Sequence, residues 1–152
     1  MLKIEQILRN ENGENVLNDS FENIMIKENY IVVTKEGKSG LYRLCDYKQL
    51  LNCDWDKIIF NRGYIITSKG SKFAIFNSEG KTVLDCEWDK ITLYANGILT
   101  SKNGTQGFFS YNGDIILDCV WKRIEPFPNV LLAFKGDGTK RKVFDYNRNI
   151  IK

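Results

Sequence analysis

The chain has 152 residues, 43% of them hydrophobic and 27% charged, a balance that supports one packed domain and is too apolar for a disordered one. Lys plus Arg number 22 against 19 for Asp plus Glu, and histidine is absent, which removes every mechanism that needs an imidazole base or ligand. No apolar run approaches the roughly 18 residues of a membrane-spanning helix, and Met1-Leu2-Lys3-Ile4-Glu5 is charged too early for the apolar stretch of a signal peptide, so the sequence predicts a cytoplasmic protein, or one exported without a cleaved signal, and no membrane partner.

In chain order, a cap strand is predicted over residues 1–9, its strand-like part running from Lys3 to Leu8. Four repeats follow, at about 10–43, 44–76, 77–109 and 110–146, and a C-terminal cap strand over 147–152. The repeats are read from three tryptophans, Trp55, Trp88 and Trp121, each 33 residues after the last. The segments around them are L-L-N-C-D-W-D-K-I (Leu50 to Ile58), V-L-D-C-E-W-D-K-I (Val83 to Ile91) and I-L-D-C-V-W-K-R-I (Ile116 to Ile124). A weaker first copy, V-L-N-D-S-F-E-N-I (Val16 to Ile24), has Phe21 in place of tryptophan and Asp19 in place of cysteine.

Turn residues punctuate each copy. Asn12-Gly13, Glu79-Gly80 and Asn112-Gly113 precede the Trp segments, and Gly37, Gly70, Gly104 and Gly138 fall later, at places suited to hairpins with positive φ. Between them lie four short strands, a to d, which in the third copy read Thr82 to Asp85, Trp88 to Tyr94, Ile98 to Ser101 and Gly107 to Tyr111. The connections are too short for anything but antiparallel neighbours, so each copy is a β-meander.

Strand c does not alternate. Ile31-Val32-Val33, Tyr64-Ile65-Ile66, Ile98-Leu99 and Val130-Leu131-Leu132 are apolar on both faces, so both must be covered, and a unit of about 33 residues achieves this by stacking on its neighbours. The fold class is therefore all-β: tandem β-meanders stacked as an open, curved array, with a small closed β-propeller as the alternative. The strand count favours the open array, because the terminal pieces leave half a blade over.

The pattern resembles the WG-repeat proteins of bacteria, whose unit looks like G-K-x-h-h-x-x-x-[YW]-D-x-I followed by a strand, a K-x-G turn and W-G-[YFL]-I. Gly80 to Ile91 (G-K-T-V-L-D-C-E-W-D-K-I) matches the first half. Ser39-Gly40-Leu41-Tyr42 and Gln106-Gly107-Phe108-Phe109 keep the glycine of the second half, Phe73-Ala74-Ile75-Phe76 loses it, and the naming tryptophan is absent from all of them. The resemblance implies a divergent member and a binding scaffold, and it implies no reaction.

Cys53, Cys86 and Cys119 share one repeat position and Cys45 lies outside it. There is no C-x-x-C pair, and equivalent positions of stacked sheets lie about 10 Å apart, beyond the roughly 7 Å reach of a disulfide. The reading is reduced core thiols in a reducing compartment, with no metal or cofactor. Phe21, Trp55, Trp88 and Trp121 are read as a buried ladder; exposed on successive copies, the same rings would make a carbohydrate or cell-wall binder, with Tyr30, Tyr64 and Tyr94 as further surface candidates. Asp54, Asp56, Asp85, Asp89 and Asp118 repeat with the strands, which suits turn bonding better than the two unlike carboxylates of a glycosidase. No nucleophile motif or phosphate loop points to an enzyme.

Charge is uneven. Residues 1–36 carry four cations and seven anions, net −3, whereas residues 122–152 carry eight and three, net +5. Lys122, Arg123, Lys135, Lys140, Arg141, Lys142, Arg148 and Lys152 form a basic end, predicted to dock an acidic protein or to mediate head-to-tail self-association, unless it merely solvates an edge strand. Few aromatics are interleaved with the cations, which argues against nucleic acid. The functional expectation is a non-catalytic protein-binding module: an adaptor, an effector-associated factor or an immunity protein that neutralises a toxin.

Overall fold

The computed structural model describes residues 4–151, and these form fifteen short strands and no helix. The first antiparallel sheet contains β1 (Asn23–Lys27), β2 (Tyr30–Lys35), β3 (Lys38–Arg43) and β4 (Gln49–Trp55). The second contains β5 (Lys57–Asn61), β6 (Tyr64–Lys69), β7 (Lys72–Phe76) and β8 (Thr82–Trp88), and the third β9 (Lys90–Tyr94), β10 (Gly97–Lys102), β11 (Thr105–Phe109) and β12 (Ile115–Trp121). In the fourth, β13 (Arg123–Pro126), β14 (Leu131–Lys135) and β15 (Lys140–Phe144) stand as three.

The sheets are out of phase with the expected units. Each of the first three takes strands b, c and d from one sequence copy and strand a from the next, and tryptophan closes strand a instead of opening strand b. A periodic sequence has no preferred starting point; hydrogen bonding supplies one. The chain leaves each sheet immediately after the tryptophan, in a one-residue step at Asp56, Asp89 or Lys122. The N–H of each step residue reaches a carbonyl on strand c of the following sheet, Ser68, Ser101 or Phe134, at 2.8 Å.

Gly13, Gly80 and Gly113 hold φ between 83° and 88°, and Gly37, Gly70, Gly104 and Gly138 are also positive, as the turn reading required. At the N-terminus, residues 1–3 of the predicted cap strand lie outside the described residues. The rest forms isolated bridges, Gln6 with Phe21 and Arg9 with Asn15. Gln6 Oε1 accepts the Ile24 N–H at 2.8 Å, just as Gln106 Oε1 accepts that of Ile124 at 2.7 Å, so this segment meets the first sheet as the third sheet meets the fourth. At the C-terminus, Ile150 makes one bridge to Phe144 where a cap strand was expected, and Lys152 lies outside the described residues.

Four apolar clusters alternate with the sheets. One lies under the N-terminal segment (Leu17, Phe21, Ile31, Val33, Tyr42), and the others between the first and second, second and third, and third and fourth sheets. Strand c supplies both sides: Ile31 and Val33 are fully buried toward one neighbour, while Val32 packs, half-buried, toward the other. Inter-sheet contacts join neighbours in chain order, and none of comparable extent joins the first sheet to the fourth, so the array is open.

One motif locks every interface. The ring closing strand a meets, edge to face, the aromatic that ends strand d of the next sheet: Phe21 with Tyr42 (6.1 Å), Trp55 with Phe76 (5.6 Å), Trp88 with Phe109 (5.2 Å) and Trp121 with Phe144 (5.6 Å). A lysine from the end of strand c lies over the same ring: Lys35 on Phe21 (5.8 Å), Lys69 on Trp55 (4.9 Å), Lys102 on Trp88 (5.7 Å) and Lys135 on Trp121 (5.0 Å).

Trp88 and Trp121 are buried and Trp55 half-buried. Replacing Trp88 with alanine should cost roughly 3 to 5 kcal/mol in urea unfolding, the usual range for deleting a large core ring. A loss under about 1 kcal/mol would place the indole outside the core.

Candidate protein-interaction end

In each four-stranded sheet one end carries the tryptophan, the step to the next sheet and the c–d hairpin. The opposite end carries the b–c hairpin and the d–a turn. This geometry sorts the predicted basic residues. Lys122, Arg123, Lys135, Lys140, Arg141 and Lys142 all fall at the tryptophan end of the fourth sheet.

Arg148 does not join them. It sits in the d–a turn at the other end, with φ of 73° at the position that Gly80 and Gly113 fill in earlier copies. Arg123 lies over the Phe134 ring at 4.1 Å and pairs with Glu125 at 3.0 Å. Trp121, Lys135, Lys140, Arg141 and Lys142 border a single groove of about 420 Å³.

In the other clusters the strand-a cysteine of the following copy shares the cluster with the ring: Cys53 with Phe21, Cys86 with Trp55 and Cys119 with Trp88. Among the described residues, the fourth sheet has only the Ile150 bridge in the place of strand a. Cys53, Cys86 and Cys119 are free thiols, half-buried where the sequence reading placed them fully in the core. Burial pushes the Cys53 thiol up, away from the thiolate. Cys45 is exposed, and no cluster of potential metal ligands occurs among the described residues.

The same strands explain the glycine that two of the copies keep in strand d. A Cβ on Gly40 would stand 2.8 Å from Cys53 Sγ, and one on Gly107 would stand 3.1 Å from Cys119, because bulged strand a crosses strand d closely there. The second sheet accommodates Ala74 at this position. Ser39, Phe73 and Gln106, which stand where the naming tryptophan is missing, pair in register with Trp55, Trp88 and Trp121.

The repeated aspartates bind the scaffold. Asp56 accepts the Lys38 ammonium and the Gly70 N–H (2.7 Å); Asp89 accepts the Lys72 ammonium and the Asn103 N–H (2.9 Å). Asp54, Asp85 and Asp118 are exposed on the outer side of strand a. Tyr30 and Tyr64, read from sequence as surface candidates, are half-buried and stacked on Phe60 (4.9 Å) and Tyr111 (4.6 Å).

Sequence reasoning missed the strand-c lysines. Lys35, Lys69, Lys102 and Lys135 each lie 14 residues after their ring, and that constant spacing was the signal available.

The arrangement defines a tandem β-repeat scaffold with one cation-lined end. Residues 75–100, which run from β7 into β10, match the family model described as WG containing repeat, so the chain carries a repeat of WG type. No curated protein matches the sequence. Solved structures that match include Kluyveromyces lactis Hsv2p (13% identity, 86% of this chain and 49% of that one, TM-score 0.40). The N-terminal domain of Nup159 (12%, 84% and 42%, 0.40) and a eukaryotic initiation factor (14%, 89% and 45%, 0.42) also match. The chain spans about half the length of the solved structures it matches first.

The carboxylate contacts carry a pH signature. The Lys38 ammonium and then the Gly70 N–H hold Asp56 below the usual carboxylate range; Lys72 and then Asn103 do the same for Asp89. The Arg43 guanidinium lowers Asp46 to about 2. A carboxyl more acidic in the folded chain stabilises it above the unfolded value of 3.8 and loses that contribution as pH falls through the folded value. The thermal midpoint should therefore fall between about pH 4 and pH 2. The double variant D56N/D89N should show a shallower fall than the parent by calorimetry.

Proposed function

We propose that this chain is a non-catalytic repeat module that binds another protein, and that it does so at the tryptophan end of the fourth sheet. The observation carrying this reading is the groove beside Trp121. Four cations line it, and no carboxylate among the described residues lies within ion-pair distance of them. Elsewhere several lysines of the repeat meet acids: Lys38 with Asp56, Lys72 with Asp89 and Lys102 with Glu87. Unanswered charge concentrated beside an apolar ring suits an acidic protein surface, which it would attract over several ångströms and orient on contact.

Burial of the indoles weighs against a carbohydrate platform, because rings clamped between an aromatic edge and a lysine present no face to a sugar. An adaptor, an effector-associated factor and an immunity protein that blocks a toxin all fit a scaffold of this kind. Half-buried unpaired thiols fit a reducing, cytoplasmic setting.

Reversing charge with K140E/R141E/K142E should abolish retention of the bound protein from a lysate of the source cell, identified by mass spectrometry against the parent chain. The melting temperature should shift little, since these side chains are exposed. Undiminished retention would move the binding surface elsewhere.

A further inference from the structure

The third sheet has a sheet on either side of it, and the face it turns toward the fourth carries a recess of about 170 Å³. Lys90, Thr92 and Tyr94 of β9 stand in a row on that face. Ser101 and Leu99 of β10 pair with Lys90 and Thr92, and Gln106 of β11 pairs with Ser101. The recess is polar at one end, where Lys90, Ser101 and Gln106 lie together. It is apolar at the other, where Leu99 and the Tyr94 ring pack on the cluster shared with the fourth sheet.

Comparison with the earlier copies shows what is different here. Where the third sheet has Thr92, the first and second have Met25 and Ile59; where it has Gln106, the second has Phe73. A hydroxyl and a carboxamide thus replace apolar bulk. Gln106 Oε1 accepts the Ile124 N–H at 2.7 Å, which occupies its oxygen and leaves the Nε2 hydrogens to donate elsewhere. Among the described residues, neither that Nε2 nor the Thr92 and Ser101 hydroxyls bond to another protein group, and no carboxylate lies within ion-pair distance of Lys90. Asp89, next to it in sequence, is already taken by Lys72 and the Asn103 N–H. The polar end is therefore a set of hydrogen-bond donors around one uncompensated cation.

We infer that this recess binds a small free monocarboxylic acid. The carboxylate takes the Lys90 ammonium, the Thr92 and Ser101 hydroxyls and Gln106 Nε2, and a short apolar tail lies along Leu99 and the Tyr94 ring. One cation balances one negative charge, whereas the second charge of a sulfate or phosphate would stand uncompensated among half-buried side chains. Size sets the tail. A cavity of roughly 150 Å³ takes one benzene, so this one accepts about six non-hydrogen atoms, as in butyrate. The site is distinct from the basic end and does not depend on a protein binding there.

The test follows the full isotope-labelled chain by NMR during titration with sodium butyrate at fixed pH and ionic strength. The Gln106 side-chain amide and the Thr92 and Ser101 main-chain amides should shift together and saturate at millimolar butyrate. Butyramide, which keeps the shape without the charge, and sulfate, which keeps charge without the tail, should each bind about tenfold more weakly or worse. K90M should weaken butyrate by about tenfold, since it removes the charge and keeps the stem. T92I, which copies Ile59 into the recess, should abolish the saturating shift, and K140E/R141E/K142E should leave it unchanged. Lys90 is exposed, so K90M gives its answer whether or not T92I disturbs the packing. Shifts that never saturate, that centre on Lys140 to Lys142, or that survive K90M would overturn the site. Butyramide or sulfate binding as tightly as butyrate would overturn its assignment to a monocarboxylate. Capped glutamate stands for the side chain of a protein, and if it bound as well as butyrate the recess would belong to a partner and not to a free acid.

Discussion

Everything in this molecule depends on covering two faces of a sheet that no single copy can cover alone. The clamp at each interface, an aromatic edge against a ring whose face is held by a lysine, recurs four times with little change in geometry. Edge-to-face pairs and cation–π contacts contribute on the order of 1 kcal/mol each beyond the area they bury. Their larger role is registration: they fix how far one sheet is rotated and slid over the next, so that Leu51, Leu84 and Leu117 arrive in the same environment. Stability in such an array is close to a sum over nearest-neighbour interfaces.

Much of this was legible in the residues. The 33-residue recurrence of tryptophan, the turn glycines and the doubly apolar strand c together gave an all-β stack of meanders. What remained hidden was phase. Placing Trp88 at the start of strand b satisfies the spacing as well as placing it at the end of strand a, and only the Asp89 N–H reaching Ser101 distinguishes them. The clamp lysines were hidden for a related reason, since a lysine at the end of a strand reads as solvated until the ring beneath it is known. Arg148 shows the converse: counted by sequence it belongs to the basic end, yet half a repeat carries it to the other end of the sheet.

The candidate site is likewise a fault in periodicity. Lys142 stands where the earlier copies have Gly40, Ala74 and Gly107, and Arg141 where they have Ser39, Phe73 and Gln106, both within one strand. Each change taken alone is an ordinary surface substitution. Taken together with Lys140 they set three consecutive cations beside Trp121.

The one-residue steps after Trp55 and Trp88 have a mechanical corollary. The chain enters the second and third sheets and leaves them at the same end, so tension between the termini would not shear those ladders lengthwise. It would peel them open, one hydrogen-bonded rung after another, at low force. A scaffold threaded this way yields to traction sheet by sheet, each released segment paying out about a repeat's length of slack.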